Sequence, residues 1–128
     1  MKLLLDTHAL IWWLINLGRL SKTARDAIAE PANEVIVSAV SAMEVTTKHR
    51  LGKLPGVGLL ARSFEAQVAA EGFAGLPITL AHGQLAGSMP IEHKDPFDRL
   101  LMAQAITENL TLVSNETLFD ASGVSRLW

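Results

Sequence analysis

Residues 3–14 read LLLDTHALIWWL, and their order decides the fold. Leu3, Leu4 and Leu5 offer no polar face, as a strand buried on both sides of a parallel sheet requires. Ala9 to Leu14 is apolar on nearly every face, as expected of a helix packed inside the molecule. Between the two stands Asp6, and burying a carboxylate without a partner is expensive. A strand running into a buried helix with an acid at the joint is the opening unit of an α/β architecture. In such folds ligands gather at the carboxyl ends of the strands.

Working outward, LSKTARDAIAEP (20–31) predicts a short amphipathic helix capped by Ser21 and stopped by Pro31, followed by a strand in EVIVS (34–38). A helix is expected from Ser38 to about Leu51, with Gly52 as its stop, and another from Gly58 to Glu71. FAGLPI (73–78) reads as a short third strand, weakened by its glycine and proline, and TLAHGQLAGSM (79–89) as a short helix. The best-marked helix lies in HKDPFDRLLMAQAITEN (93–109), with Asp95 as N-cap and Pro96 at the first helical position. LTLVS (110–114) predicts a strand, NETLFDAS (115–122) a helical turn and VSRLW (124–128) a terminal strand. Strands alternating with helices predict a three-layer α/β/α fold with a mainly parallel central sheet, spanning residues 1–128 as a single domain.

Composition narrows the functional classes. With 49% hydrophobic and 19% charged residues and a net charge of −2, the chain has apolar surface for a two-sided core and no general basic coat for nucleic acid. The absence of cysteine excludes disulfides and thiolate metal sites and fits a reducing cytoplasm. Asp6 and His8 interrupt the apolar start before any cleavage site, so it reads as mature sequence. No run reaches the roughly 18 apolar residues of a membrane span, so a protein without a membrane partner is expected.

Four acids fall at strand ends or just inside the helices that follow: Asp6, Glu44, Asp98 and Glu116, with Asp95 nearby. Each has a plain structural reading. Asp6 suits a helix cap, Ser41 to Glu44 matches a capping box unless Ser38 caps instead, and Asp95 to Asp98 suits a helix start. Taken together they mean something more, because clustered carboxylates raise one another's pKa and destabilise the fold at neutral pH unless a cation joins them. All-oxygen donors select a hard ion, Mg²⁺ or Mn²⁺. Such an ion activates water and offsets charge on a phosphoryl oxygen, which makes phosphodiester cleavage the natural chemistry.

The segments LLLDTHALIWWL, VSAVSAMEV, HKDPFDRLLMAQA and TLVSNETLF, in this order, resemble a PIN domain, and more narrowly the VapC-type toxins of bacterial type II toxin-antitoxin pairs. The resemblance covers almost the whole chain, down to GVSRLW. It implies a metal-dependent endoribonuclease that is a homodimer and is blocked by a cognate VapB-type antitoxin. It places Asp6, Glu44 and Asp98 at the family's three acidic positions, holding Mg²⁺ (or Mn²⁺) for attack on an RNA strand. Asp95 belongs to the same block, where it orients the others or a water. Glu116 stands where the family usually has aspartate or asparagine; a second metal, a water-mediated role and no role stay open. Ser114 falls where a small hydroxyl residue accompanies the acids. One metal or two also stays open.

RNA needs a basic approach, and Lys48, His49, Arg50 and Lys53 form the densest cationic cluster, which reads equally as the solvated end of a helix. Arg99 is expected to pair with a neighbouring acid. Trp12 and Trp13 suit a subunit interface better than base stacking, and Met43, Met89 and Met102 suit the core. Two related metal-using folds fit less well. An aspartyl-nucleophile phosphatase needs an aspartate where His8 stands, and a phospho-acceptor domain needs a lysine where the last strand has only Arg126. A catalytically inactive scaffold that binds RNA or a partner protein is the alternative from another class.

Overall fold

A computed structural model describes residues 1–128. The chain runs β1 (Lys2–Leu5), α1 (Thr7–Ile15), α2 (Lys22–Ala29), β2 (Glu34–Ser38), α3 (Ala39–Arg50), α4 (Gly58–Arg62), α5 (Phe64–Ala70), β3 (Ala74–Leu76), α6 (Leu80–Ser88), α7 (Pro96–Thr107), β4 (Thr111–Val113) and β5 (Arg126–Leu127), with 3₁₀ turns at Leu17–Arg19 and Thr117–Ser122. The five strands lie in the order β3-β2-β1-β4-β5 and every pairing is parallel. From β1 the chain moves outward to β2 and β3, then returns to the other side of β1 with β4. Strand order therefore reverses beside β1, and its carboxyl end is the place where a doubly wound sheet opens a crevice.

Side-chain alternation explains the three layers. Leu4, Ile36 and Leu112 point to one face and pack with Val40, Leu101, Met102 and Phe119. Leu3, Leu5, Val35, Val37 and Val113 point to the other and pack with Leu10, Ala24, Ile28 and Val68. A smaller group, Ile11, Val45, Val57 and Leu60, ties α1 and α3 to α4. No helix is long and apolar enough to cross a membrane.

Local chemistry sets most element ends. Ser21 Oγ accepts from Ala24 N, Ser38 Oγ from Val40 N and Asp95 Oδ1 from Phe97 N, so the capping residues read from the sequence do cap, and Ser38 rather than Ser41 starts α3. Gly52, at φ 73°, takes the left-handed conformation that stops α3. Two expectations need correction. Residues 58–71 are not one helix: the chain breaks at Ser63 (φ −141°, ψ 42°), whose hydroxyl donates to the Leu59 carbonyl. Met43 is not a core residue, being 61% exposed on the outer face of α3, whereas Met89 and Met102 are buried.

The tryptophans are half-buried by the chain itself. Trp12 meets Trp128 edge-on with 5.9 Å between ring centroids and carries the Arg19 guanidinium 5.0 Å over its ring. Trp13 Nε1 donates to Glu71 Oε2.

Candidate metal and catalytic site

Asp6 ends β1, the central strand, and is 5% exposed. Its Oδ1 accepts from Ala9 N at 2.7 Å, so it does cap α1. The cap does not make the site comfortable for a charge. Burial pushes the carboxyl up to about 6, against the Ser114 hydroxyl, the Ala9 N–H and the His8 charge, while the charge of Glu116 pushes it further up. Ser114, at the end of β4, is fully buried and accepts from Glu116 N through its Oγ, which leaves its proton for Asp6.

Glu44, also 5% exposed, lies on α3 behind the Ser38 cap. Thr7 Oγ1 donates to its Oε1 at 2.6 Å. With that proton committed, Thr7 Oγ1 is the acceptor in its 3.0 Å contact with Ser41 Oγ. The other oxygen, Oε2, takes the Lys48 ammonium from one turn further along the helix. Burial works against the Lys48 charge, yet the hydrogen bond to Glu44 and the charges of Glu44, Asp95 and Asp98 outweigh it and raise its pKa.

Asp98 sits in the first turn of α7, with His93 Nε2 2.7 Å from its Oδ2. Burial raises its pKa, as do the charges of Asp95 and Glu116, against the hydrogen bond and charge of His93. Asp95 spends Oδ1 on the amides of Phe97 and Asp98. Glu116 precedes the second 3₁₀ turn without bonding its amides, and its charge reaches both Asp6 and Asp98.

The fold thus brings Asp6, Asp98, Asp95, Glu116 and Glu44 to one end of the sheet, coupled by charge through direct repulsion or through Lys48, with Ser114 hydrogen-bonded among them. As placed, no three His, Cys, Asp or Glu side chains are drawn tightly enough to hold an ion. Glu44 and Asp98 are each tied to a nitrogen instead. The donor set nonetheless fits a hard divalent cation: the donors are carboxylate oxygens, Asp6 and Asp98 are hard to ionise, and Glu116 adds charge that no amide of its turn offsets. An apolar cleft of about 450 Å³, lined by Val37, Ala42, Phe64, Val68 and Phe73, lies elsewhere, toward β3. It holds none of these acids.

Of the basic residues expected to face RNA, Arg50 at the end of α3 and Lys53 just past it are exposed, but Lys48 turns inward onto Glu44. Arg99 pairs with no acid. Its guanidinium donates to the carbonyls of Ala86, Met89, Ile91 and His93, because the segment between α6 and α7 wraps around it. Thr7 and His93 are not among the residues singled out from the sequence, and Ser41 is read there only as a cap. The available signals were that Thr7 follows Asp6 directly, that Ser41 precedes Glu44 by almost one turn, and that His93 opens the HKDPFDRLL block.

A family model described as PIN domain matches residues 3–123. The fold is similar to that of VapBC2 from Rickettsia felis bound to a DNA fragment from their promoter, with a TM-score of 0.73 and 15% identity over 98% of this chain and 97% of that chain. It is similar to VapBC-1 from nontypeable Haemophilus influenzae (TM-score 0.65, 16% identity, 98% and 96% covered). It is also similar to FitAcB from Neisseria gonorrhoeae (TM-score 0.60, 17% identity, 97% and 95% covered). No curated protein sequence matches the chain.

Proposed function

The chain belongs to the PIN-domain family, and from that premise we propose that it is a VapC-type toxin, a Mg²⁺- or Mn²⁺-dependent endoribonuclease restrained by a cognate VapB-type antitoxin. The observation that carries this reading is Asp6, a buried carboxylate held at the switch point of the sheet with its pKa at about 6 and Glu116 acting on both it and Asp98. A fold keeps so costly a group where a cation is meant to join it.

Asp6, Glu44 and Asp98 would hold the ion, with Glu116 and Asp95 in support. When bound, a hard divalent ion supplies a water acidic enough to attack phosphorus near neutral pH and charge to offset that building on the phosphoryl oxygens. The chain's own residues do the rest. Ser114 orients Asp6, Thr7 orients Glu44, and the Asp95 cap fixes the first turn of α7 so that Asp98 faces its neighbours. Arg50 and Lys53 stand exposed to meet an RNA backbone, a contact that weakens with salt. The antitoxin is supported by the similarity to toxin-antitoxin complexes. A homodimer would bury the exposed remainder of Trp12 and Trp13.

Expression of the chain alone in a bacterial host tests the proposal. Growth arrest with accumulation of cut RNA, relieved by co-expressing the product of the adjacent gene, is the expected result. Normal growth with intact RNA at full protein level would overturn it.

A further inference from the structure

The pair formed by Lys48 and Glu44 differs from an ordinary surface bridge. Lys22 and Asp26 have the same helical spacing, but their side chains are 82% and 61% exposed, and such a pair contributes little. Lys48 and Glu44 are 30% and 7% exposed. Both oxygens of Glu44 are occupied, one by the neutral Thr7 hydroxyl and one by the Lys48 ammonium. A hydroxyl can keep its place beside a carboxylate that receives a metal ion, whereas an ammonium on the same carboxylate repels the incoming charge. Lys48 also has a way out, since its flexible stem reaches partly into solvent and the two neighbouring cations, Arg50 and Lys53, already point there.

We propose that the Lys48 ammonium is a tethered counter-ion, which neutralises Glu44 in the metal-free protein and must leave it before a divalent cation can bind. This rests on the reading of Asp6, Glu44 and Asp98 as the metal-holding acids. Lys48 is accordingly a positioning residue that sets cation affinity, and not an RNA contact in the resting protein. Charge balance explains why the arrangement is tolerable: a single positive charge leaves as a double one arrives, so Glu44 is never buried without a partner.

The test is a Mn²⁺ titration of chelator-stripped protein, following free Mn²⁺ by electron paramagnetic resonance, in the unaltered chain and in Lys48→Met. The variant should bind Mn²⁺ roughly tenfold more tightly, the factor that matches a charge-assisted hydrogen bond no longer having to be broken. Equal or weaker binding by a variant with native circular dichroism would overturn the proposal. A second measurement needs no substitution: the rate of acetylation of each lysine, read by mass spectrometry with and without Mg²⁺. Lys48 should be slow without Mg²⁺ and become several-fold faster with it, while the exposed Lys53 stays constant. A Lys48 rate unchanged or slowed by Mg²⁺ would overturn the proposal. Mn²⁺ binding to neither protein would sink the metal reading itself and this inference with it, whereas equal binding to both sinks the inference alone.

Discussion

Thr7 Oγ1 stands 2.6 Å from Glu44 Oε1, so the residue next to Asp6 holds the acid of another helix. The end of β1 thereby orients two acids at once, Asp6 directly and Glu44 through Thr7, and Ser41 secures the hydroxyl from the far side at 3.0 Å. The joint between the first strand and the first helix is where fold and proposed chemistry meet.

Replacing Thr7 separates orientation from the acids themselves. Thr7→Val keeps the shape but removes the donor, and RNA cleavage should fall about tenfold, the equivalent of one hydrogen bond to a charged group. Thr7→Ser should retain most of the rate. Single-turnover cleavage of a labelled RNA checks both, and equal rates in Thr7→Val and the parent chain would remove Thr7 from the account.

The raised pKa of Asp6 makes the metal-free protein sensitive to pH. A carboxyl at about 6 in the folded chain and 3.8 in the unfolded one binds its proton first in the folded state. Stability is therefore highest below the unfolded value and falls as pH rises from about 4 to about 6, remaining reduced above that. The cost at neutral pH is on the order of 3 kcal/mol from this group. Asp98 acts in the same direction. Urea melts in chelator should show greater stability at pH 5 than at pH 8. Asp6→Asn, which preserves a good cap, should flatten that slope and stabilise the protein at pH 8.

The fork of Arg99 predicts an effect on stability. It donates to Ala86, Met89, Ile91 and His93 carbonyls at 2.7 to 3.0 Å and thereby holds the segment that lays His93 on Asp98. A lysine keeps the charge but cannot reach in several directions. Arg99→Lys should lower unfolding free energy by about 2 kcal/mol in urea melts. It should also quicken amide exchange across residues 86–93.

What could be read in the sequence follows from the range of the forces involved. Ser21, Ser38 and Asp95 act on amides two or three residues away, so their capping is written locally. The alternation of Leu3, Leu4 and Leu5 likewise determines which face each serves. Glu44 is recognisable as a candidate because it lies in the helix after a strand, and Asp98 because it lies in the first turn of the best-marked helix. What occupies them is not, since Thr7 meets Glu44 only after α1 and α3 have been brought side by side. Arg99 meets carbonyls and not the acid expected of it for the same reason: its acceptors lie on a wrapped segment whose path no periodicity reveals. Ser63 breaks residues 58–71 by a backbone conformation that helical spacing does not encode.

Cleavage of a labelled single-stranded RNA by purified, antitoxin-free protein is the decisive experiment for a metal-dependent nuclease built on Asp6. The unaltered chain should cut with Mg²⁺ or Mn²⁺, stop on addition of chelator, and lose the activity entirely in Asp6→Asn although that variant remains folded. Cleavage that persists in chelator, or in Asp6→Asn, would contradict it.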